Sequence, residues 1–212
     1  MKTKIEAVVF DMDGVLIDAK DWHYHALNRA LEHFGYTISR ADHLSTFDGL
    51  PTRTKLEMLS QERGLPRGLH DFINDLKQRY TIDQVYTDCH PIFVHEYALS
   101  NLKARGYKLG LASNSVRHSV ELMMERSALA SYLDVVLSNE DVEKPKPDPD
   151  MYLTATRMLG VDPKATLVVE DNPNGIKAAE CAGCHVLVVQ NVHDVQLDRI
   201  LNAIDRIDRQ SP

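Results

Sequence analysis

Four short stretches of this chain hold the residue types that phosphoryl chemistry needs. Asp11 and Asp13 stand two residues apart after an apolar run, and Ser113-Asn114 follow another. Glu170-Asp171 follow a third such run, and Lys144 opens a proline-rich turn. A hard cation such as Mg²⁺ takes oxygen ligands, keeps several waters, and uses one or two carboxylates plus a substrate phosphate. Asp11 and Asp171 suit that directly, with the backbone carbonyl of Asp13. Without a cation, so many carboxylates would raise one another's pKa values and repel a phosphate. Lys144 offers positive charge to a transferring group, and Ser113 offers a hydroxyl donor. A carboxylate can also attack phosphorus and form an aspartyl-phosphate. A second aspartate two residues on can then serve as general acid and base.

Each piece alone has a plainer reading. A D-x-D after a strand is common. Ser113-Asn114 would also cap a helix whose periodic face begins at Val116 and Val120. Glu170-Asp171 would favour a helix dipole, and Lys144 would be a solvated loop charge. What separates the two readings is position: all four stretches fall at the ends of strands or in loops on one expected rim.

The elements that place them there follow from periodicity. Ile5–Phe10 is an apolar run that reads as a buried parallel strand, and Gly14 marks the turn after it. Leu109–Ala112, Val135–Leu137, Leu167–Val169 and Val186–Val189 look alike. Between them Leu27, Ala30, Leu31 and Phe34 repeat at helical spacing, with Gly35 as a stop. The same pattern recurs at Leu69–Leu76, Met151–Leu159 and Leu197–Ile204. Asp148-Pro149 and Asn172-Pro173 read as helix starts, an Asx cap followed by proline. From about residue 91 strand and helix alternate, the signature of a parallel sheet covered on both faces. Residues 18–88 hold helical patterns and no strand, which reads as an inserted all-helical subdomain. The expectation is an α/β, Rossmann-like core of residues 1–17 and 89–212 with a helical cap at 18–88. In such sheets chemistry gathers at the carboxyl ends of the strands.

Composition bounds the partners. The 212 residues carry 24 Lys plus Arg against 31 Asp plus Glu, a net charge of −7. That balance disfavours nucleic acid and anionic membranes, while a local phosphate site stays possible. The three cysteines cannot build a disulfide framework, which suits a reducing compartment. Val8–Phe10 is too short for a signal-peptide core, and no run approaches a membrane span. A cytoplasmic monomer acting on a small molecule is the expectation.

The four stretches together resemble the motifs of the haloacid dehalogenase superfamily, in its β-phosphoglucomutase-like branch. Asp11-Met12-Asp13-Gly14-Val15-Leu16-Ile17-Asp18 resembles the first motif and Leu111-Ala112-Ser113-Asn114-Ser115 the second. Lys144-Pro145-Lys146-Pro147-Asp148-Pro149 resembles the third. Val169-Glu170-Asp171-Asn172, with Gly175-Ile176-Lys177-Ala178-Ala179, resembles the fourth. The resemblance implies that Asp11 attacks phosphorus and that Asp13 protonates the leaving oxygen and then activates water. Ser113 and Asn114 would hold phosphoryl oxygens, and Lys144 would offset charge and steady Asp11. Asp171 would bind Mg²⁺ directly and Glu170 through water. Asp13 also argues against carbon–halogen cleavage, since the dehalogenases of the superfamily lack this second aspartate.

The cap is implied to close over the core and read the substrate. His23 resembles the histidine that meets the acid/base aspartate in the closed mutase, although its spacing to Leu27 also suits a core histidine. Asp48-Gly49-Leu50-Pro51-Thr52-Arg53 resembles the substrate-reading loop. Gly49 and Arg53 are thereby candidate contacts, as is Arg117 after the Ser113 loop. Both arginines also suit solvated helix charges. The mutase carries a lysine at Asp48, an arginine at Thr52, a hinge threonine at Ala19 and a Lys-Asn pair at Val116-Arg117. These departures weaken a second phosphate site. The reading is therefore a Mg²⁺-dependent phosphatase of a small phosphorylated metabolite, with a phosphosugar mutase as the alternative. A phosphonate hydrolase would need a cap lysine, for which Lys55 is the nearest and a poor match. A thiol redox role for Cys181-Ala182-Gly183-Cys184 is disfavoured, because the pair falls at a helix C-terminus. A non-catalytic binding module would have lost Asp11, Asp13, Lys144 or Asp171, and all four are present.

Overall fold

The computed structural model describes residues 4–210 and divides into two compact units. One runs through Asp18 and resumes at His90; the other is Ala19–Cys89. The sheet lies in the first. Its strands are β1 (Ala7–Phe10), β2 (Lys108–Ala112), β3 (Val135–Leu137), β4 (Thr166–Glu170) and β5 (His185–Val188), in the order β3-β2-β1-β4-β5. Every pairing is parallel. This is the expected α/β sheet, and each predicted strand is present within a residue or two.

The Ala19–Cys89 unit is all helical: α1 (Lys20–Glu32), the short α2 (Arg40–Asp42), α3 (Thr52–Arg63) and α4 (His70–Asp88). Its core joins Leu27, Leu31, Phe47, Leu56, Leu59 and Ile73. α1 ends at Glu32, and the chain turns back through Gly35 at φ +76°. That left-handed geometry is the one a glycine adopts without steric cost.

The sheet unit continues with α5 (Phe93–Ala104), α6 (Arg117–Arg126), α7 (Asp150–Leu159), α8 (Pro173–Cys181) and α9 (Leu197–Gln210). The strands are apolar on both faces because both are covered. Ala7, Val9 and Val168 meet Met151, Tyr152 and Ala155 of α7 and Ala178 and Ala179 of α8. On this unit's other helices, α5 packs against β2 and α9. Each valine, leucine or methionine of this core contributes about 1.5–3 kcal/mol when fully buried.

Two helix starts illustrate local control. Asn172 Oδ1 accepts from the Asn174 amide at 2.9 Å, and Pro173 opens α8, as the sequence suggests. At α7 the helix begins one residue later than expected. Pro149 stands just outside it, and Asp148 Oδ1 meets the Asp150 amide at 3.3 Å. Among the described residues no helix is long and apolar enough to cross a membrane.

Candidate active site

Strand register sets the site. Phe10 is level with Leu111 on β2 and Val169 on β4. The next residue on β1, Asp11, therefore leaves the sheet between the ends of its two neighbours. Its amide still donates to Val169 O at 3.0 Å. After it the chain turns sharply. The amides of Leu16 and Ile17 reach Met12 O at 3.0 and 2.9 Å, Gly14 N reaches Ile17 O at 2.7 Å, and Gly14 has φ +94°. This fold-back carries Asp13, whose Oδ2 accepts from Ser115 Oγ at 2.8 Å.

One ammonium ties the three central strand ends together. Lys146 Nζ donates to Asp11 Oδ1 at 2.7 Å, to Ala112 O at 2.8 Å and to Glu170 Oε1 at 2.8 Å. All three of its protons are thus used, one each on β1, β2 and β4. It also lies 4.7 Å from the centre of the Tyr152 ring. This corrects the sequence reading, which gave the role to Lys144. Lys144 is exposed on the loop, and Lys146, two residues on, is buried. The cause lies in Asn114. Its side chain donates to Lys146 O and accepts from Lys146 N, both at 3.1 Å, and so clamps that residue's backbone.

Glu170 is buried and fully engaged. Oε1 accepts from Lys146 Nζ and from Tyr152 Oη at 3.0 Å. Oε2 accepts from the amides of Asp171 and Asn172 at 2.8 and 2.9 Å. Such a carboxylate holds its surroundings more than it offers lone pairs. Ser113 is buried, its amide on Leu137 O at 3.0 Å and its Oγ accepting from the Ser115 amide at 3.0 Å. Neither Ser113 nor Asn114 caps α6, which starts at Arg117 without a side-chain cap.

The electrostatics are those of a crowded acidic pocket. Burial raises the Asp11 pKa well above the carboxylate range; Lys146 opposes this, and Glu170, Asp13 and Asp171 raise it further. Burial works to lower the Lys146 pKa, yet the charges of Asp11 and Glu170 and its bonds to them win, so it stays above the usual value. Burial, then Glu170 and Asp11, holds the Tyr152 phenol protonated far above its ordinary range. Asp11, Glu170 and Asp171 each offer a carboxylate oxygen, all within 4.8 Å of one another. Hard anionic oxygens this close could hold a dication, which would relieve their mutual repulsion.

Of the remaining predicted residues, one belongs to the sheet unit and three to the helical unit. Arg117 is not brought to Asp11: its guanidinium meets Asp141 and, at 3.4 Å, Glu121. In the helical unit Arg53 is exposed and paired with Asp71 at 3.2 Å. His23 Nδ1 meets Lys77 Nζ at 3.1 Å, and Gly49 sits in a turn with φ +71°. Cys181 ends α8, as expected, and burial pushes the Cys184 thiol up to about 12, which leaves it inert as a nucleophile. Sequence reasoning missed three members of the site. Tyr152 looked like part of a helical core face, Ser115 like a loop residue, and Lys146 like a neighbour of the chosen lysine.

A parallel sheet whose central strand ends gather carboxylates around one lysine, with a helical unit inserted after the first strand, defines an α/β enzyme. The sequence model of the haloacid dehalogenase-like hydrolases matches residues 8–189. A phosphorylated carbohydrates phosphatase of Thermotoga maritima is 31% identical over 195 residues, spanning 90% of this chain and 88% of that protein. The pyrophosphatase PpaX of Bacillus velezensis is 29% identical over 189 residues, spanning 85% and 81%. The β-phosphoglucomutase structure from Clostridium difficile has a TM-score of 0.81 at 21% identity, covering 95% of this chain and 98% of that one. The chain belongs to the haloacid dehalogenase-like hydrolase family. It is an enzyme of that family's phosphatase kind, with the fold of β-phosphoglucomutase.

Proposed function

We propose that the protein is a Mg²⁺-dependent phosphatase of small phosphorylated metabolites, working through an aspartyl-phosphate on Asp11. The observation that carries this reading is the Asp11 carboxylate, fixed by Lys146 at 2.7 Å and set among Glu170 and Asp171. Asp11 attacks phosphorus, and the bond to the leaving oxygen breaks. Asp13, oriented by Ser115, gives that oxygen a proton and later takes one from the water that hydrolyses the acyl phosphate. Lys146 stays charged throughout and offsets the negative charge gathering on the phosphoryl oxygens. Ser113 Oγ is a hydroxyl donor toward the same oxygens. Asp11 and Asp171 would hold Mg²⁺ with the Asp13 carbonyl, and Glu170 would hold the loop that carries Asp171. The cation, when bound, neutralises phosphate charge and aligns it with Asp11.

The Thermotoga relative's name makes sugar phosphates the first substrates to test. The experiment is a screen of phosphorylated metabolites with Mg²⁺, read for both free phosphate and isomerised product. Phosphate release that stops with a chelator and with Asp11→Asn is expected. Turnover retained by Asp11→Asn would remove the nucleophile, and isomerisation without hydrolysis would make the enzyme a mutase.

A further inference from the structure

β5 ends the sheet on one side, and among the described residues no strand meets its outer edge. Val188 is level with Glu170 of β4, and the next amide, Val189 N, donates to Glu170 O at 2.9 Å. Backbone groups along a strand turn alternately to its two sides. Those of Leu187 and Val189 therefore serve β4, and those of Val186 and Val188 turn outward. Such an edge is ordinarily paired, covered or guarded by charge. One outward group is guarded here: Val188 O accepts from Arg199 Nη2 at 3.1 Å.

α9 runs beside that edge with two unlike flanks. Arg199, Asn202 and Arg206 follow at i, i+3 and i+7, one stripe of the helix. With Val186, Leu187, Val188 and Ala203 they line an open cleft of about 630 Å³, and no carboxylate is among the lining residues. The acids of α9 serve the other flank. Asp208 Oδ1 accepts from the Ile5 amide at 2.9 Å, just before β1. Burial, then Asp208 and Asp205, raises the pKa of Tyr107, just before β2. Within the cleft the two arginines differ. Arg199 is neutralised by Asp194, whose Oδ1 stands 2.7 Å from Nη1 and whose Oδ2 accepts from the Gln190 amide at 2.8 Å. Arg206 is exposed, and among the described residues its guanidinium has no ion pair or hydrogen bond. The cleft thus carries one uncompensated positive charge on a chain of net charge −7.

We propose that this cleft binds a small monocarboxylate with an apolar body, its carboxylate on Arg206 and Asn202 and its body against the wall of Val186–Val188 and Ala203. A guanidinium fork matches a carboxylate with two parallel N–H bonds, and the Asn202 amide adds a donor. One uncompensated cation balances one negative charge, which favours a carboxylate over a phosphate dianion. The volume falls in the range of about 300–1,000 Å³ of small-ligand sites, which join an apolar wall to a few convergent polar groups. The same charge disfavours a second copy of the chain as occupant. Two such edges meeting about a two-fold axis would bring their arginine stripes together. The cleft goes beyond the phosphatase reading, since no lining residue belongs to the site around Asp11.

The test titrates the full-length protein with benzoate and follows the backbone amide resonances. Saturable shifts at Val186–Val188 and Asn202–Arg206 are expected. Arg206→Met, a substitution at an exposed position, should weaken binding by about tenfold, and Arg206→Lys should restore part of it. Benzyl alcohol keeps the ring and lacks the charge, so it should bind about tenfold more weakly than benzoate. No saturable shift in this cleft, benzoate binding that Arg206→Met leaves unaltered, or equal binding of benzyl alcohol each overturns the site. Shifts of the same amides that grow with protein concentration alone would give the edge to a second copy and overturn it as well. Phosphate release by Arg206→Met should stay within about twofold of wild type. A larger loss would overturn the separation of this cleft from the catalytic site. The amide shifts report binding and not turnover, so failure of the phosphatase reading leaves this test intact.

Discussion

A Cβ placed on Gly175 would stand 1.5 Å from Oε1 of Glu170 and 2.1 Å from its carboxyl carbon. No side chain fits there. The bare first turn of α8 is what lets the Glu170 carboxylate lie against the amides of Asp171 and Asn172 while it holds Lys146 and Tyr152. Gly175→Ala is therefore expected to displace that carboxylate and leave Lys146 buried with one anion fewer. The cost should be about 3 kcal/mol, the scale of stranding buried polar and charged partners. Turnover should fall by about two orders of magnitude. Urea unfolding and phosphate release measure the two effects. Wild-type stability in the variant would show that the carboxylate relaxes freely.

Lys146→Met and Lys144→Met make a matched pair. The first removes the cation that joins Asp11, Ala112 and Glu170 and should lower kcat by about 10²–10³-fold, the range seen when a preorganised charge donor is lost. The second removes an exposed charge and should leave kcat within about twofold, as surface substitutions away from a site do. Equal losses in the two would return the role to the loop as a whole.

That pair also marks where sequence reasoning stops. Strand positions were legible because runs such as Val8–Phe10 and Leu167–Val169 are apolar on both faces, which only a covered parallel sheet explains. Asp11, Glu170 and Asp171 were legible because they end such runs. The choice between Lys144 and Lys146 was not, since each precedes a proline and each lies near the same turn. It is settled by Asn114, thirty-two residues away in sequence, through two backbone hydrogen bonds. Tyr152 was legible as a core residue, but its phenol oxygen meets Glu170, a contact that helical periodicity does not encode. In the helical unit the apolar spacing gave the helices, while the buried lysines at positions 55 and 77 broke the pattern without saying why.

Adding Mg²⁺ should stabilise the protein, by about 2.7 kcal/mol at a hundredfold excess over its Kd. The gain should grow with pH. Burial and the neighbouring carboxylates raise the Asp11 pKa, so in the metal-free protein Asp11 contributes stability at low pH that is lost as pH rises through its folded value. A dication favours the ionised form and offsets that loss. Thermal unfolding with and without Mg²⁺ at pH 5 and pH 7 checks the trend. Asp171→Ala should abolish most of the gain, and an undiminished gain would take Asp171 out of the metal site.

His43 makes the opposite prediction in the helical unit. Burial first, then the charge of Lys55, lowers its pKa from 6.5 to about 4, with Asp48 opposing. A depressed histidine pKa means that the unfolded chain holds more protons than the folded one between those values. Stability due to this ring is therefore complete above 6.5 and drains away as pH falls toward 4. The loss should be on the order of 2 kcal/mol after allowance for solvent screening. His43→Phe keeps a flat ring beside Tyr24 but cannot take up a proton. The stability difference between wild type and variant, measured by urea unfolding, should shift toward the variant by that amount as pH is lowered across the window. Parallel curves for the two proteins would mean that the ring titrates as freely folded as unfolded. The subtraction matters because carboxylates titrate over the same range, and only the difference isolates this ring.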